Sequence, residues 1–196
     1  MNDLNSFSHG QITSKIWLCE ELEKYCKLND NLYILGGWHN VLGFMISVRK
    51  PNFFKKIHNI DINSDVIEIA DKICDTWINV LHATNSHIIN TCADSNAYDL
   101  QVNPETDIVI NCSVEHFIAN DWFNTLPTNT LVCLQSSDMK VKEIIDSVET
   151  WQQNQPNRDL ATFLNRFPLK EYLYVGTKTF EYPDYGYNRF MMIGRK

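Results

Sequence analysis

Apolar residues in this chain form two alternating patterns: short continuous runs, and longer segments where they recur every three or four positions. Short runs predict buried strands, and the periodic segments predict amphipathic helices. The strands are predicted over residues 31–35, 57–61, 87–91, 107–111 and 130–135. The helices are predicted over residues 12–27, 39–49, 66–77, 119–126 and 140–153, with Thr13 or Ser14 capping the first and Asn63 or Ser64 the third. Strands that alternate with helices are typical of an α/β fold with a parallel sheet.

The rhythm changes after residue 153, where two further apolar runs have no helix between them. Residues 169–177 and 189–193 are predicted as strands joined by a turn-rich loop at 182–187. We therefore expect an antiparallel hairpin at the end of a mostly parallel sheet. The sequence shows no repeats, low-complexity tracts or evident linkers, which predicts a single domain over residues 1–196.

Charge and composition disfavour several classes of protein. The formal net charge is −7 at pH 7, whereas a nucleic-acid-binding surface normally needs a clustered basic face. No apolar stretch reaches the roughly 18–20 residues of a membrane span, and the N-terminus lacks the basic start and apolar core of a secretory signal. We therefore expect a cytoplasmic protein that binds neither nucleic acid nor membrane.

The cysteines and histidines do not favour a metal site. The six cysteines never form a C-x-x-C pair and several lie inside apolar runs, so we expect free, mostly buried thiols in a reducing compartment. The six histidines show neither H-x-x-E-H nor H-E-x-x-H spacing, so no metal is predicted.

The strongest candidate for a ligand site joins the first and second predicted strands. The first strand ends in Gly36 and Gly37, where the missing side chain lets the backbone turn sharply and approach a ligand. The second ends in Asp61, 25 positions after Gly36, and an acidic residue there can accept hydrogen bonds from both ribose hydroxyls. This order favours a nucleoside-containing cofactor. A nicotinamide-binding Rossmann domain is disfavoured, because the next glycine, Gly43, does not complete a G-x-G-x-x-G spacing.

The strand–helix units, the terminal hairpin and the segment Leu35-Gly36-Gly37-Trp38 followed by Asp61 resemble the class I S-adenosylmethionine (SAM)-dependent methyltransferase superfamily. The resemblance covers roughly residues 30–196 and implies a small, single-domain member that uses SAM as its cofactor. It implies a Rossmann-like three-layer α/β sandwich. Its mostly parallel, seven-stranded sheet would be closed by a C-terminal antiparallel β-hairpin.

The same resemblance assigns candidate roles to residues at the ends of the predicted strands. Cofactor binding is implied for Gly36, Gly37, Trp38, Asp61, Ile62, Ala93, Asp94 and Asn111. The helical segment over residues 1–29 is expected to lie across the cofactor mouth. There Gln11, Ser14 or Lys15 would contact the cofactor carboxylate, unless they only cap a helix.

The segment 111–117 carries the most candidate chemistry. It follows a strand whose continuous apolar core predicts burial on both faces, so its polar groups emerge at the carboxyl edge of the sheet. Asn111 could orient an acceptor amine or hydroxyl through its carbonyl, and Glu115 or His116 could accept the proton, unless both only begin a surface helix. Cys112 is a poor nucleophile candidate, because nothing in the sequence indicates a lowered thiol pKa. Three residues of the hairpin loop would bind an acceptor or pack the hairpin: Tyr185, Tyr187 and Arg189.

The function that the resemblance implies is methyl transfer from SAM to a nitrogen or oxygen of a small-molecule acceptor, and a homo-oligomer is left open. Two alternatives stay open. The residues after Asn111 do not match the Asn/Asp-Pro-Pro-aromatic loop of amino-group methyltransferases. This leaves room for another SAM-using reaction, such as aminocarboxypropyl transfer, cyclisation or cleavage of SAM. The second alternative is a non-catalytic partner subunit with the same fold.

Overall fold

A computed structural model describes residues 6–81, 87–117, 119–139, 159–182 and 186–196, with the backbone alone for 77–81. Its strands are β1 (Asn31–Leu35), β2 (Lys56–Asp61), β3 (His87–Cys92), β4 (Asp107–Asn111), β5 (Leu131–Ser137), β6 (Glu171–Glu181) and β7 (Gly186–Arg195). Its α-helices are α1 (His9–Leu22), α2 (Val41–Arg49), α3 (Ser64–Leu81), α4 (Asp121–Thr125) and α5 (Leu160–Arg166). The predicted helix over 140–153 lies outside the described residues.

The seven strands form one sheet in the order β3-β2-β1-β4-β5-β7-β6. The first five are parallel, and β7 pairs antiparallel with both β5 and β6. This confirms the predicted fold class, a mostly parallel seven-stranded sheet closed by a terminal hairpin. Leu35 pairs with Asn111, and Ser137 at the end of β5 pairs with Arg189. Residues from both ends of the chain therefore meet at the carboxyl edge of the parallel strands.

The first helix differs from its prediction at both ends. It begins at His9 after Ser8, so Thr13 and Ser14 lie inside it and neither is its cap. Ser14 instead donates its hydroxyl to the Gln11 carbonyl within the helix. The helix ends at Leu22, although Tyr25 continues the apolar period. Tyr25 lies in the turn that follows, where its hydroxyl donates to the Leu173 carbonyl. For α3 the predicted cap is confirmed, since the Asn63 side chain accepts the Asp65 N–H at 2.9 Å.

Helix α5 was missed by the sequence analysis, because its seven residues are too few for a periodic pattern. Its local signal is Asp159, whose carboxylate accepts the Thr162 N–H at 2.7 Å and caps the helix. Strand β6 is also longer than predicted, to Glu181 rather than residue 177. The extra residues belong to an edge strand with mostly exposed side chains, so they lack the apolar run that marks a buried strand.

The sheet separates two apolar cores. On one face Leu18 of α1 and Leu42 of α2 pack with alternate residues of the central strands, such as Ile34 and Ile110. On the other, α4 and α5 contribute Trp122 and Phe163 to a second cluster. All five residues of β4 are buried, as predicted, because successive residues face opposite cores.

The cysteines are free, and four of the six are buried. Burial raises the pKa of the Cys19 and Cys26 thiols to about 12, so both behave as apolar core residues. Within the described segments, none of the helices combines the length and apolarity that crossing a bilayer requires.

We expect Phe163→Ala to lower the free energy of unfolding by about 3–5 kcal/mol, the usual cost of deleting a buried ring. Phe163 is fully buried, and its ring packs 6.1 Å from that of Phe167 and 6.5 Å from that of Phe190. Urea denaturation measures the change. Asn165→Ala, at an exposed position of the same helix, is the control and should change stability little. Equal effects for both variants would contradict the packing of α5.

The buried imidazole of His58 should make stability depend on pH. It lies between the rings of Tyr33 and Tyr98, and its Nε2 is 2.7 Å from the Thr91 hydroxyl. Burial, aided by the Lys56 ammonium, lowers the pKa of His58 below its ordinary 6.5. Just below pH 6.5 the unfolded chain therefore binds more protons than the folded one, and stability falls as the pH drops through this window.

We expect His58→Gln to flatten the loss of stability below about pH 6.5, as measured by urea unfolding at a series of pH values. His87→Gln, at an exposed position of the neighbouring strand, is the matched control. An unchanged pH profile in folded His58→Gln would show that other groups carry the acid sensitivity.

Candidate functional site

The loop after β1 has an unusual backbone conformation. Gly36, Trp38 and Asn40 have φ values of +61°, +53° and +57°, in the left-handed region that favours glycine. The Gly36 N–H donates to the Ile60 carbonyl at 2.8 Å, and the Asn40 N–H donates to the Gly37 carbonyl at 2.9 Å. These bonds hold the loop against the end of β2.

The Asp61 carboxylate lies against this loop. Its Oδ2 accepts the Trp38 backbone N–H at 2.9 Å, and its Oδ1 accepts the Asn63 N–H at 3.0 Å. Each carboxylate oxygen has a second lone pair, and Asp61 is only partly buried, so it can also accept hydrogen bonds from a ligand. The structure thus brings together the loop and the acidic residue that the sequence placed at adjacent strand ends.

The two glycines make room for side chains of the protein itself. A Cβ on Gly37 would lie 1.9 Å from Oδ1 of Asn59, and a Cβ on Gly36 would lie 2.9 Å from the Phe117 ring. The sequence analysis expected a ligand to approach the backbone at these glycines. In the structure the side chains of Asn59 on β2 and Phe117 in the loop after β4 occupy the space beside them.

Three asparagines beside the loop were missed by the sequence analysis. Asn59 Nδ2 donates to the Trp38 carbonyl at 3.3 Å and to Asn90 Oδ1 at 3.2 Å. Asn40 Nδ2 donates to the same Asn90 oxygen at 3.0 Å, and Asn90 Nδ2 donates to Asp71. The sequence signal for this cluster was the polar residue Asn59 inside the predicted second strand.

The remaining cofactor candidates lie at the same edge. Ile62, directly after Asp61, is 70% exposed and places an apolar side chain on a largely polar rim. The Ala93 N–H donates to the Asp61 carbonyl at 2.9 Å, so the end of β3 adjoins the end of β2. Asp94 is exposed, and its carboxylate accepts the Asn96 N–H in a local turn.

Asn111 ends β4 in a fully buried position. Its Oδ1 accepts the Ser113 N–H at 3.0 Å, whereas its Nδ2 has no hydrogen-bond partner among the described residues. The amide NH₂, a donor, is therefore the group without a partner in the described residues, and the carbonyl keeps a second lone pair that could still orient an acceptor.

The two candidate bases occupy different surroundings. Glu115 Oε1 accepts the Ser137 hydroxyl at 3.1 Å, and Glu115 Oε2 is buried without a hydrogen-bond partner in the described part of the chain. The His116 side chain is exposed. Arg166 of α5, another residue missed by the sequence analysis, holds their loop by donating to the carbonyls of Val114 and Phe117. Burial lowers the pKa of Arg166, and the Glu115 carboxylate opposes that shift.

The N-terminal segment contacts the glycine loop and covers part of the same edge. The Ser6 hydroxyl and His39 Nδ1 are hydrogen-bonded at 2.8 Å, and the rings of His39 and Trp38 stack. Ser14 and Lys15 are buried, and the Ser14 carbonyl accepts Nε2 of Gln135 from the end of β5.

Two roles were predicted for Tyr187, binding an acceptor or packing the hairpin, and in the structure its side chain packs against the hairpin. Its ring stacks between those of Phe180 and Tyr182, and its hydroxyl lies directly over the backbone of Gly10. Tyr185 lies outside the described residues. Burial also raises the pKa of the Cys112 thiol, which disfavours a nucleophilic thiolate there.

Neither a protein-family model nor a curated protein matches the sequence, whereas solved structures do match the fold. Magnesium protoporphyrin IX methyltransferase from Synechocystis, with S-adenosylhomocysteine bound, is 12% identical at a TM-score of 0.58, covering 94% of this chain and 83% of that one. An arsenic(III) SAM methyltransferase from Chlamydomonas reinhardtii is 10% identical at a TM-score of 0.58, and the match covers 86% of this chain and 64% of that one. TrmK from M. capricolum, in complex with S-adenosylhomocysteine, is 14% identical at a TM-score of 0.53, and the match covers 89% of this chain and 66% of that one. At these identities the likeness establishes the fold: the chain has the class I SAM-dependent methyltransferase fold.

We expect Gly36→Ala to lower the free energy of unfolding by about 1–3 kcal/mol, because alanine is strained at φ +61° and its Cβ would press on Phe117. Phe117→Leu in the same background should recover part of the loss by relieving the contact but not the strain. A double-mutant cycle measured by urea denaturation separates the two contributions. Full stability of Gly36→Ala would contradict the loop geometry.

Proposed function

We propose that this chain is a SAM-dependent methyltransferase acting on a nitrogen or oxygen of a small-molecule acceptor. The observation that carries the proposal is the hydrogen bond from the Trp38 N–H to the Asp61 carboxylate, at the carboxyl edge of a 3-2-1-4-5-7-6 sheet. Ligands in open α/β sheets bind outside the carboxyl ends of the strands, where the strand order reverses. Here the order reverses between β1 and β4, beside this contact.

The residues at this edge fit a nucleoside-containing cofactor. Asp61 keeps acceptor capacity for ribose hydroxyls, and the exposed Ile62 offers an apolar surface for a base. Ala93 and Asp94 follow β3, the next strand, where they would border the same base. On the other side, the Asn111 amide NH₂ is a buried donor without a partner in the described segments, suited to a polar group of the bound cofactor.

When bound, SAM supplies an electrophilic methyl group attached to a sulfonium. The chain must hold an acceptor in line with that methyl group and take up its proton where necessary. Glu115 suits the second task, because its Oε2 is buried and has no partner among the residues that the structure describes, while Ser137 fixes the other oxygen. His116, with an exposed side chain, is the less sheltered of the two candidate bases. Arg166 positions the loop that carries both, through two backbone carbonyls.

A small acceptor agrees with the composition of the chain. A net charge of −7 disfavours a nucleic-acid substrate, which needs neutralisation of its phosphates. The similar structures are named for acceptors as different as magnesium protoporphyrin IX and arsenic(III), so the shared fold does not select the acceptor. We extend the proposal to a single domain over residues 1–196 that functions in the cytoplasm.

We expect Asp61→Ala to weaken binding of S-adenosylhomocysteine by about 1.5–3 kcal/mol, the scale of hydrogen bonds to a charged group. Isothermal calorimetry measures the change, and circular dichroism checks that the variant is folded. Asp65→Ala removes an exposed carboxylate four positions away and serves as the matched control. Unchanged affinity in a folded Asp61→Ala variant would overturn the assignment of this site.

Product analysis with SAM distinguishes the reactions that such a site can support. S-adenosylhomocysteine as the product indicates methyl transfer. Methylthioadenosine would instead indicate aminocarboxypropyl transfer or cleavage. A wild-type chain that binds no SAM would favour a non-catalytic subunit.

A further inference from the structure

Two cationic side chains are buried close together at the carboxyl edge of the sheet, beneath α1. Lys15 is 7% exposed and Arg189 is 3% exposed. Arg189 pairs with Ser137, the last residue of β5, and its Nη1 donates to the Cys112 carbonyl at 3.1 Å. Burial lowers the pKa of Lys15 to about 8, and the Arg189 charge acts in the same direction. Their proximity follows from the packing of α1 over the end of β5, where the carbonyl of Ser14, the neighbour of Lys15, accepts Gln135 Nε2 at 3.1 Å two residues before Ser137.

Neither cation has a carboxylate partner among the described residues. Lys15 Nζ donates to Gln11 Oε1 at 2.8 Å, a neutral amide on its own helix. Arg189 Nε is buried and has no hydrogen-bond partner in the same part of the chain. The ion pairs among the described residues involve neither Lys15 nor Arg189. Burying a cation without a counter-charge is costly, and nothing among the described residues compensates the burial of this pair.

The neighbouring polar groups do not neutralise the pair. Glu115 lies within 4 Å of neither cation's nitrogens, and its Oε1 accepts the Ser137 hydroxyl. Glu115 Oε2 and Gln135 Oε1 are buried and have no hydrogen-bond partner in the segments that the structure describes, although Gln135 Nε2 donates to the Ser14 carbonyl. Most buried polar groups in proteins are paired. Unpartnered atoms on β5, on β7 and on the β4 loop are therefore typical of a site that a polar ligand completes.

We propose that Lys15 and Arg189 form a buried two-cation site that binds the carboxylate of a small-molecule ligand. The identity of that ligand rests on the proposed function, which supplies two sources: the acceptor, and the amino-acid end of the cofactor. A carboxylate accepts hydrogen bonds from an ammonium and a guanidinium at once, and charge-assisted bonds are strongest where water is excluded. Gln135 Oε1, which has no partner among the described residues, would suit an ammonium group on the same ligand.

Calorimetric titrations with S-adenosylhomocysteine and 5′-methylthioadenosine test the cofactor source, because only the first carries a carboxylate. If the amino-acid end of the cofactor occupies the site, Lys15→Met and Arg189→Gln lose at least about tenfold in affinity for S-adenosylhomocysteine. Both variants should then bind methylthioadenosine as the wild type does. Lys178→Met is the matched control, since Lys178 pairs with Arg189 across the hairpin but is exposed.

Acetate tests the acceptor source. If the acceptor's carboxylate occupies the site, both variants keep full affinity for S-adenosylhomocysteine. Acetate titrated into the wild-type complex with S-adenosylhomocysteine should then bind, and the binding should be lost in Lys15→Met and Arg189→Gln but not in Lys178→Met. Unchanged binding of both nucleosides and of acetate in the two folded variants would overturn the proposal.

Thermal unfolding of the ligand-free chain separates a ligand site from a structural role. Lys15→Met should raise the midpoint by about 2–4 °C, because it replaces a buried, unneutralised charge with an apolar side chain of similar length. A lower unfolding midpoint for Lys15→Met than for the wild type would show that Lys15 stabilises the fold, which would count against the two-cation site. A wild-type chain that binds neither nucleoside would contradict the proposed function instead. Acetate binding that Lys15→Met abolishes would still support the two-cation site in that case.

Discussion

The hydrogen bond between the Trp38 backbone N–H and the Asp61 carboxylate fixes the end of one strand to the loop that leaves its neighbour. The loop contains two non-glycine residues with positive φ, Trp38 and Asn40, a conformation that costs free energy and persists only where surrounding contacts enforce it. Those contacts come from the Asp61 carboxylate and from the Asn59 side chain beneath. Without them, neither the loop nor the acidic side chain would have a defined place at the sheet edge.

The carboxyl edge differs from the two apolar cores in how its polar groups are satisfied. Inside the cores, strand residues such as Val109 and Val132 are completely buried and carry no side-chain polar atoms. At the edge, buried atoms of the Asn111, Glu115 and Arg189 side chains have no partner in the described part of the chain. Such atoms destabilise the empty fold, and that arrangement is typical of sites where a ligand supplies the missing partners.

The fold and the acceptor chemistry belong to different parts of the molecule. The fold is shared with proteins only 10–14% identical to this chain, two of which are named for magnesium protoporphyrin IX and arsenic(III). In this chain the polar groups at the carboxyl edge come from loops and ends: the turn after β4, the short helix α5 whose Arg166 supports that turn, and the N-terminal helix, which contacts β5. Changes in these segments can alter the ligand without disturbing the sheet.

The amino-acid sequence by itself determined most of the sheet. A buried strand or helix face must be apolar, and the resulting run or periodic stripe can be recognised within a short segment of the sequence. All seven strands were located, and Gly36 and Asp61 were placed at adjacent strand ends. Helix α5 and the cap of α1 were not found, since seven residues give no period and several hydroxyl residues compete as caps.

Only the tertiary structure decided which polar groups meet. Arg166 reaches the carbonyl of Val114, and Lys15 lies near Arg189 although the two are at opposite ends of the chain. Such pairs depend on strand order and on the packing of one helix across the sheet, and neither leaves a pattern among neighbouring residues. The sequence therefore determined where backbone and apolar side chains go, while the folded chain alone brought together the charges that a ligand would meet.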